Sequence, residues 1–337
     1  MMTRRCLSLF LTCLLALGCA AQRVVVHPQV SFPDSIPVGG YSGITFIGDD
    51  MYAVVSDNAK RKDGFSLFRI RLDSVGAVAS ASCVGFMGND DMGHDNEGIA
   101  WFPSKKTFFI SGEADNQVRE LSEKGIPTGR RLALPKEFGG ASRAYGLEAL
   151  TYNGETHRFW TTSESTLKAD GPTADPENGV KNRLRLQAFD DDLLPVAQFV
   201  YEMDAPSIEY KPETYAFGVS ALAAMDDGRL LVLEREAAVP ESKIGAQAVC
   251  KIYMVKPELT ETLKSGIDMA KAVPLDKCLV AEWETAVGLL ECSFANFEGM
   301  CLGPKLADGG QVVLLIADSQ YGYANILQDW LKTVVIY

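Results

Sequence analysis

The sequence has little of several residue types that common active sites require. It contains three histidines, His27, His94 and His157, and no two of them are spaced as zinc ligands are. No cysteine pair has the C-x-x-C spacing of a structural zinc site. The chain also lacks a P-loop, a G-x-G-x-x-G turn, an EF-hand loop and a G-x-S-x-G elbow. These absences argue against zinc enzymes, nucleotide-binding folds and serine hydrolases.

Positive charge is also scarce. The 337 residues include 44 acidic and 32 basic side chains, which gives a formal net charge of −12. A protein that binds nucleic acid presents a basic face, and so does one that docks on anionic lipid. The composition therefore argues against both partners, whereas it is compatible with binding a divalent cation.

No apolar run is long enough to cross a bilayer. The run at the N-terminus, Leu7 to Leu17, has eleven residues and follows Arg4 and Arg5. A short apolar core after a positive start is typical of a secretory signal. The sequence therefore predicts an exported protein without a transmembrane helix, located in the periplasm or secreted.

Two processing sites compete after this signal. Small residues in "CAAQ" allow cleavage after Ala21, and "ALGC" resembles a bacterial lipobox ending at Cys19, with alanine where leucine is usual. We predict a signal peptide over residues 1–21 and one domain over residues 22–337. A soluble form is favoured over a lipoprotein anchored at Cys19.

Five cysteines remain in the predicted mature chain, so at least one is unpaired within it. Export permits disulfides, and the pairs Cys250–Cys278 and Cys292–Cys301 are two options. The alternative is that these cysteines are small buried apolar residues.

A repeated pattern organises the chain. Each copy has a Ser or Glu, a small residue, a short apolar strand, a polar turn, and a second strand that ends in an acidic residue. The copies are separated by 55, 51, 72 and 78 residues. Counted from their first Ser or Glu, they begin at Ser42, Glu97, Glu148, Ser220 and Glu298.

Shorter apolar segments flank every copy, so that one unit comprises about four antiparallel strands. This is the pattern of a β-propeller blade. We predict an all-β, single β-propeller with five or six blades, a sixth being hidden in the two longest steps. The C-terminal "WLKTVVIY" can close the ring beside "RVVVHPQVSF" and so remove a free sheet edge. Pro257 to Ala272 is predicted as an inserted loop or helix.

The repeat places its polar residues in two sets. The first strand of a propeller blade lines the central channel, so the five residues that begin the copies should converge near one mouth. The acids that end the next strand form the second set. That second set is Asp57, Glu113, Glu164, Glu234 and Asp318.

Carboxylates this close together must protonate, pair with a cationic side chain or bind a metal. Without histidine or cysteine they suit a hard cation such as Ca²⁺. The competing interpretation is structural, with each acid capping the same turn of its blade; it explains less well why two blades carry serine. The predicted metal ligands are Glu97, Glu148, Glu298, Glu113, Glu164, Glu234, Asp57 and Asp318.

Three further residues near the two sets are candidates for substrate binding. They are Asn58, Arg143 and Arg235. Arg235 has a second interpretation, as the residue that neutralises the acidic ring. His94 precedes one of the copies and is interpreted as a loop residue.

Four motifs in order resemble the esterase-like phytase family of exported bacterial and plant proteins. They are "DNEGIAW", "YGLEALTYN", "FGVSALAAMDDGRLLVLERE" and "NFEGMCLGPKLADGGQVVLLIADS". The resemblance runs from Tyr41 to the C-terminus and implies a β-propeller with phosphoesterase or esterase-like activity. In the distantly similar calcium-dependent β-propeller phytases, Ca²⁺ in an acidic channel holds phosphate and helps to activate water. The acids here resemble that channel in kind.

Two functions from different classes fit. The first is a Ca²⁺-dependent hydrolase of phosphate esters, in which Glu97 or Glu298 accepts the proton of a metal-bound water. The second is a non-enzymatic cell-envelope propeller that binds a protein, glycan or small ligand. A carboxylic esterase would need a nucleophile that the sequence does not show. Lys60 to Lys62 is the compact basic run after the signal, which is little for a polyphosphorylated substrate.

Overall fold

In the computed structural model, the residues that can be described form twenty-one antiparallel strands. The residues described are 22–57, 63–89, 94–140, 146–210, 212–258, 262–263, 266–288 and 292–337. The predicted signal segment, Asn58 and Arg143 lie outside them. In the described part no helix is long and apolar enough to cross a membrane.

The strands form five sheets, and each sheet is one blade. Blade 1 contains β3 (Tyr41–Gly48), β4 (Met51–Ser56), β5 (Asp63–Leu72) and β6 (Val78–Asn89). Blade 2 contains β7 (Asn96–Phe102), β8 (Thr107–Gly112), β9 (Gln117–Ser122) and β10 (Pro127–Arg131). Blade 3 contains β11 (Leu147–Asn153), β12 (Arg158–Ser163), β13 (Arg183–Phe189) and β14 (Pro195–Glu202). Blade 4 contains β15 (Thr214–Ala224), β16 (Leu230–Val239), β17 (Gln247–Val255) and β18 (Lys277–Ala286).

Blade 5 joins the two ends of the chain. It contains β19 (Asn296–Lys305), β20 (Gln311–Asp318), β21 (Trp330–Ile336) and the N-terminal β1 (Val24–Val26), and β2 (Val30–Ser31) also pairs with β21. Val24 lies opposite Ile336 in an antiparallel register. The predicted closure is confirmed, and it covers the edge that β21 would otherwise expose.

The propeller has five blades, so the alternative of a sixth blade is wrong. The two longest spacings between repeat copies are explained by long connections within a blade. These connections are residues 164–182, between β12 and β13, and residues 256–276, between β17 and β18. The described residues of Pro257–Ala272 form turns and irregular chain, which agrees with an inserted loop. Short 3₁₀ segments occur at Lys136–Gly140 and Tyr323–Asn325.

The apolar core lies between neighbouring blades rather than at the axis. Between blades 3 and 4, for example, Trp160, Phe199 and Tyr201 pack with Phe217 and Leu222. Each strand alternates its side chains between two such interfaces, which explains why the strands are apolar on both faces.

The structure does not contain either of the two disulfides considered above. Cys250 and Cys301 are buried free thiols, and Cys292 is also free. Burial raises the pKa of the Cys250 thiol to about 12. Cys250 and Cys301 therefore match the alternative of small buried apolar residues.

A β-bulge interrupts the inner strand of every blade at the residue that begins each repeat. In blade 3, Leu147 lies opposite Ser163 but Ala149 lies opposite Thr162, so that Glu148 is the extra residue. The other four blades shift register at the equivalent place. A bulge re-aims a side chain relative to its strand. The five equivalent side chains are thereby brought to one level of the channel.

Candidate functional site

The five bulge residues line one narrow cavity on the propeller axis, as the repeat predicts. This inner ring consists of Ser42, Glu97, Glu148, Ser220 and Glu298. Carboxylate oxygens of its three glutamates lie within 4.8 Å of one another. The three residues are only 7%, 6% and 8% exposed, in chain order, so little water screens their charges.

Glu97 and Glu148 accept no hydrogen bond at their side chains from any described residue, although both are more than nine-tenths buried. A capping role would require each carboxylate to accept a backbone N–H donor. These two acids therefore do not fit the structural interpretation, and both line the narrow cavity on the axis instead.

A second layer of acids follows the second strand of the blades. The backbone N–H of Asp57 donates to Gly40 at 2.8 Å, and those of Glu113 and Glu164 donate to Asp95 and Gly146 at 2.9 Å. Each partner lies two residues before the inner-ring position. In blade 5, Asn296 is opposite Asp318 in the same way. The outer ring therefore includes Asp57, Glu113, Glu164 and Asp318.

The fifth position of this outer ring belongs to Arg235, and the placement of Glu234 there was wrong. Gly218, two residues before Ser220, lies opposite Arg235, whereas Glu234 lies opposite Val219. Successive strand residues face opposite sides, so a shift of one residue sends Glu234 away from the channel. It binds Lys277 Nζ at 2.6 Å and accepts the Tyr201 hydroxyl at 2.6 Å.

Arg235 is the cation that balances part of the acidic cluster. Its guanidinium donates to Glu298 Oε1 at 2.8 Å and to Asn296 Oδ1 at 2.6 Å, and it also pairs with Glu164. Arg235 is 3% exposed. This geometry agrees with the interpretation that it neutralises the ring, and a role in substrate binding stays a prediction.

In the part of the chain that the structure describes, one arginine faces the seven acids of the two rings, which is too little positive charge to balance them. Burial, together with neighbouring carboxylates, raises the pKa of Glu97, Glu148 and Asp318 well above ordinary values. Burial is also the main cause that raises the pKa of Asp57 and Glu113, in each case to about 7. In the absence of a cation the cluster therefore carries protons at neutral pH.

For Glu164 and Glu298, burial raises the pKa while Arg235 lowers it, and burial prevails. The pKa values of the two acids that bind Arg235 are therefore raised, like those of the other acids in the cluster. Removing the arginine would take away the groups that lower the pKa of Glu164, whereas Asn296 and Asp318 would still lower the pKa of Glu298.

Asp95 belongs to the cluster although the sequence argument did not select it. Its carboxylate can approach those of Glu97 and Glu113 within 4.8 Å, and its φ of 56° is unusual for a residue other than glycine. Asp95 and Asn296 occupy equivalent repeat positions, two residues before Glu97 and Glu298. The repeats already show a polar residue two positions before the glutamate in these two blades, but the prediction used only the Ser and Glu positions.

A glycine makes room for an outer-ring side chain in two blades. A Cβ on Gly40 would lie 1.8 Å from Asp57 Oδ1, and one on Gly218 would lie 2.3 Å from Glu164 Cγ. Asp57 Oδ1 is buried and has no hydrogen-bond partner within the described ranges. The sequence therefore keeps space beside the acids that a larger residue would fill.

Three linked groups of acids could each hold a metal ion. They are Asp95–Glu97–Glu113, Glu97–Glu148–Glu298 and Glu113–Glu148–Glu164. Oxygen-only ligand sets of this kind favour Ca²⁺ or Mg²⁺ over transition metals.

Comparison with known proteins identifies the family. The model of the phytase-like family, described as having the esterase-like activity of phytase, matches residues 36–321. The chain belongs to this family. The match confirms the resemblance carried by the four sequence motifs, and no curated protein matches the phytase-like chain.

Solved structures with a similar backbone fold include several enzymes. RS223 β-xylosidase is 8% identical with a TM-score of 0.49, covering 91% of this chain and 94% of that one. An endo-arabinase from Bacteroides thetaiotaomicron is 12% identical with a TM-score of 0.45, covering 91% and 97%. Streptogramin B lyase is 12% identical with a TM-score of 0.36, covering 93% and 98%. Likenesses this distant say nothing about the reaction of the phytase-like chain.

Proposed function

We propose that this phytase-like propeller is a phosphate-ester hydrolase that holds Ca²⁺ among the acids of its two rings. The observation that carries the proposal is the pair of buried, unpartnered carboxylates, Glu97 and Glu148, each of which belongs to two groups with ligand atoms within 4.8 Å. Such groups are stabilised by a cation and destabilised without one. The family description, which refers to phytase, supports a phosphate ester as substrate.

Glu97, Glu113 and Glu148 would supply the shared ligands, since each occurs in two of the three groups. When bound, Ca²⁺ supplies charge that neutralises phosphoryl oxygens and lowers the pKa of a coordinated water. The protein's own task is to accept the proton of that water. A carboxylate has two oxygens, so one that holds the ion through one oxygen can accept the proton with the other.

Glu97 is better suited to this task than Glu298. The Glu298 carboxylate already accepts hydrogen bonds from Arg235 at 2.8 Å and Asn296 at 2.7 Å. Glu97 has no such partner within the described chain. We therefore assign proton acceptance to Glu97 and a positioning role to Glu298, which Arg235 holds in place.

The test is hydrolysis of p-nitrophenyl phosphate and of phytate by the purified mature chain in Ca²⁺ or in EDTA. We expect turnover in Ca²⁺ that EDTA abolishes, a fall of about 10²-fold or more for Glu97→Gln, and nearly full activity for Glu234→Gln. Glu234 is a matched control because it is also a buried glutamate, in β16 next to the inner strand of blade 4, but faces away from the channel. Absence of Ca²⁺-dependent turnover on both substrates would refute the proposal.

Export of the protein is a second part of this proposal. It is supported by the apolar run Leu7 to Leu17 after Arg4 and Arg5, and by the small residues before Gln22. Mass spectrometry of the N-terminus from the producing cell distinguishes cleavage after Ala21 from acylation at Cys19. An intact Met1 on protein in the cytoplasm would contradict export.

A further inference from the structure

A second cavity lies at the opposite end of the channel from the acidic rings. The inner strands begin with the ring residues and end in this cavity, so that Trp101 lies about 13 Å along β7 from Glu97 at the usual rise per residue. Its volume is about 470 Å³, which is in the range of small-molecule sites. All five blades contribute to its lining.

One wall of this cavity is aromatic. Phe46, Trp101 and Tyr152 come from equivalent ends of the inner strands of blades 1, 2 and 3. Each ring is fixed by a second aromatic ring, with centroids 5.1 Å apart for Phe46 and Tyr52, 4.6 Å for Trp101 and Phe108, and 4.4 Å for Tyr152 and Phe159. The wall is therefore held in place before any ligand arrives.

The other wall is polar and comes from blades 3, 4 and 5. Asn153 Nδ2 donates to Asp226 Oδ1 at 2.9 Å, and Lys305 Nζ donates to Asp226 Oδ2 at 2.9 Å. Asn153 is itself buried and fully used, because its Oδ1 accepts two backbone N–H groups, each at 2.9 Å. The hydrogen bonds that Asp226 accepts from Asn153 and Lys305 lower its pKa, so that Asp226 stays ionised.

The polar wall has hydrogen-bonding capacity left for a ligand. A carboxylate can accept about four hydrogen bonds, and an ammonium group can donate three. The side chains of Asp226 and Lys305 are 49% and 64% exposed. The charges of this pair cancel, and Glu155 and Asp227 lie near enough to act on Lys305, so the wall has no excess positive charge that would attract an anionic ligand. It suits a neutral molecule that carries several hydroxyl groups.

We propose that this cavity binds a pyranose sugar. A pyranose ring has an apolar C–H face, which can lie against the aromatic wall, and a rim of hydroxyl groups, which can bond to Asp226 and Lys305. Apolar surface with a few convergent polar groups is how small-molecule sites obtain both affinity and orientation. The acidic rings take no part, so the proposal is independent of phosphate-ester hydrolysis.

The experiment is saturation-transfer NMR on the full mature chain, with methyl β-D-glucopyranoside, methyl β-D-galactopyranoside and N-acetyl-D-glucosamine as probes. We expect at least one probe to bind and its affinity to fall about tenfold in Asp226→Asn and in Lys305→Ala. Asp268→Asn is the matched control, since Asp268 and Lys271 form an exposed ion pair at 3.1 Å outside the cavity. Binding should be unchanged in this control and in Glu97→Gln.

Two results would overturn the proposal. The first is that none of the three sugars binds, and indole binding in the same assay would then show that an apolar aromatic ligand is the better match. The second is that sugar binding survives unchanged in both Asp226→Asn and Lys305→Ala. Thermal melts of each variant establish that it is folded before binding is measured.

Discussion

Replacing Arg235 by glutamine tests the electrostatic account of the channel most directly. Glutamine preserves much of the side-chain volume and can still donate to Asn296, but it removes the charge that Glu164 and Glu298 share. Breaking a buried ion pair from one side costs about 3–5 kcal/mol, because the remaining charge is left without a partner. At the usual unfolding entropy per residue, a chain of this length should melt about 4–7 °C lower.

The size of this loss should depend on pH. The pKa values of Glu164 and Glu298 are already raised, and loss of the arginine raises them further. An acid with a raised folded-state pKa penalises folding only above its unfolded pKa, and fully above its folded pKa. The loss should therefore be larger at pH 8 than at pH 5, because a larger share of both acids is protonated at the lower pH. Millimolar Ca²⁺ should restore part of it at pH 8.

The assay is thermal and urea unfolding at both pH values, in EDTA and in Ca²⁺. Arg185→Gln is the matched control, because Arg185 forms a similarly buried pair with Asp170 away from the channel, at 2.6 Å. It should destabilise the protein without any response to Ca²⁺. Equal losses for Arg235→Gln at pH 5 and pH 8, with no Ca²⁺ response, would show that Arg235 acts through packing alone and would refute the reasoning.

Three other predictions concern stability. In EDTA the wild-type melting temperature should fall between pH 5 and pH 8. Asp57 and Glu113, whose pKa is raised to about 7, bind protons more tightly in the folded than in the unfolded state, and they lose these protons in this range. A rise in melting temperature would contradict this prediction. Gly43→Ala should cost about 1–3 kcal/mol in urea unfolding, since its Cβ would lie 2.3 Å from a neighbouring backbone oxygen, whereas Gly139→Ala, which has open space, should cost much less. Asp329→Asn should cost about 1–3 kcal/mol, because the two carboxylate oxygens accept backbone N–H groups at 3.1 and 3.2 Å; an unchanged urea midpoint would contradict it.

Much of the fold follows from the repeated pattern. Each copy has to bury two apolar faces against its neighbours, so five copies without a break in composition predict a closed ring of blades. The terminal strands were predictable for the same reason, because an unpaired edge is unfavourable. The blade number was not, since residues 164–182 and 256–276 lengthen two steps without adding strands. Sequence spacing alone cannot separate a long loop from an additional strand pair.

The inner ring was predictable and the outer ring only in part. Four of the five outer-ring residues directly follow or end the second strand of their blade. In blade 4 the second strand continues past the channel to Val239, so its end does not mark the outer-ring position. The alignment then selected Glu234 in place of Arg235. Arg235 takes the outer-ring position because it pairs with Gly218. This pairing register is set in the folded sheet and cannot be read from the spacing of residues in the sequence.

The bulges explain a feature of the repeats that sequence reasoning left without a cause. The small residue after the ring position is glycine in three blades, at Gly43, Gly98 and Gly299. A Cβ at these positions would lie 2.3 Å from Glu97 O, 2.7 Å from Glu148 O and 2.9 Å from Ser42 O, respectively. The inner strands thus approach each other too closely for a side chain, and this close approach is what brings the three ring glutamates together.

This arrangement weakens the fold and so argues for a ligand. Replacing buried charged groups by neutral ones of similar shape often stabilises a protein. Within the described residues the channel instead keeps eight acids, those of the two rings and Asp95, beside Arg235, and two of them, Glu97 and Glu148, have no described hydrogen-bond partner. Stability alone gives no reason for such a set. A divalent cation does, because it would turn the mutual repulsion that raises these pKa values into coordination, and Ca²⁺ binding should then release protons from the protein near pH 7. Calorimetric titration in buffers of different ionisation enthalpy measures that release, and a proton count of zero would mean that the acids are not the ligands.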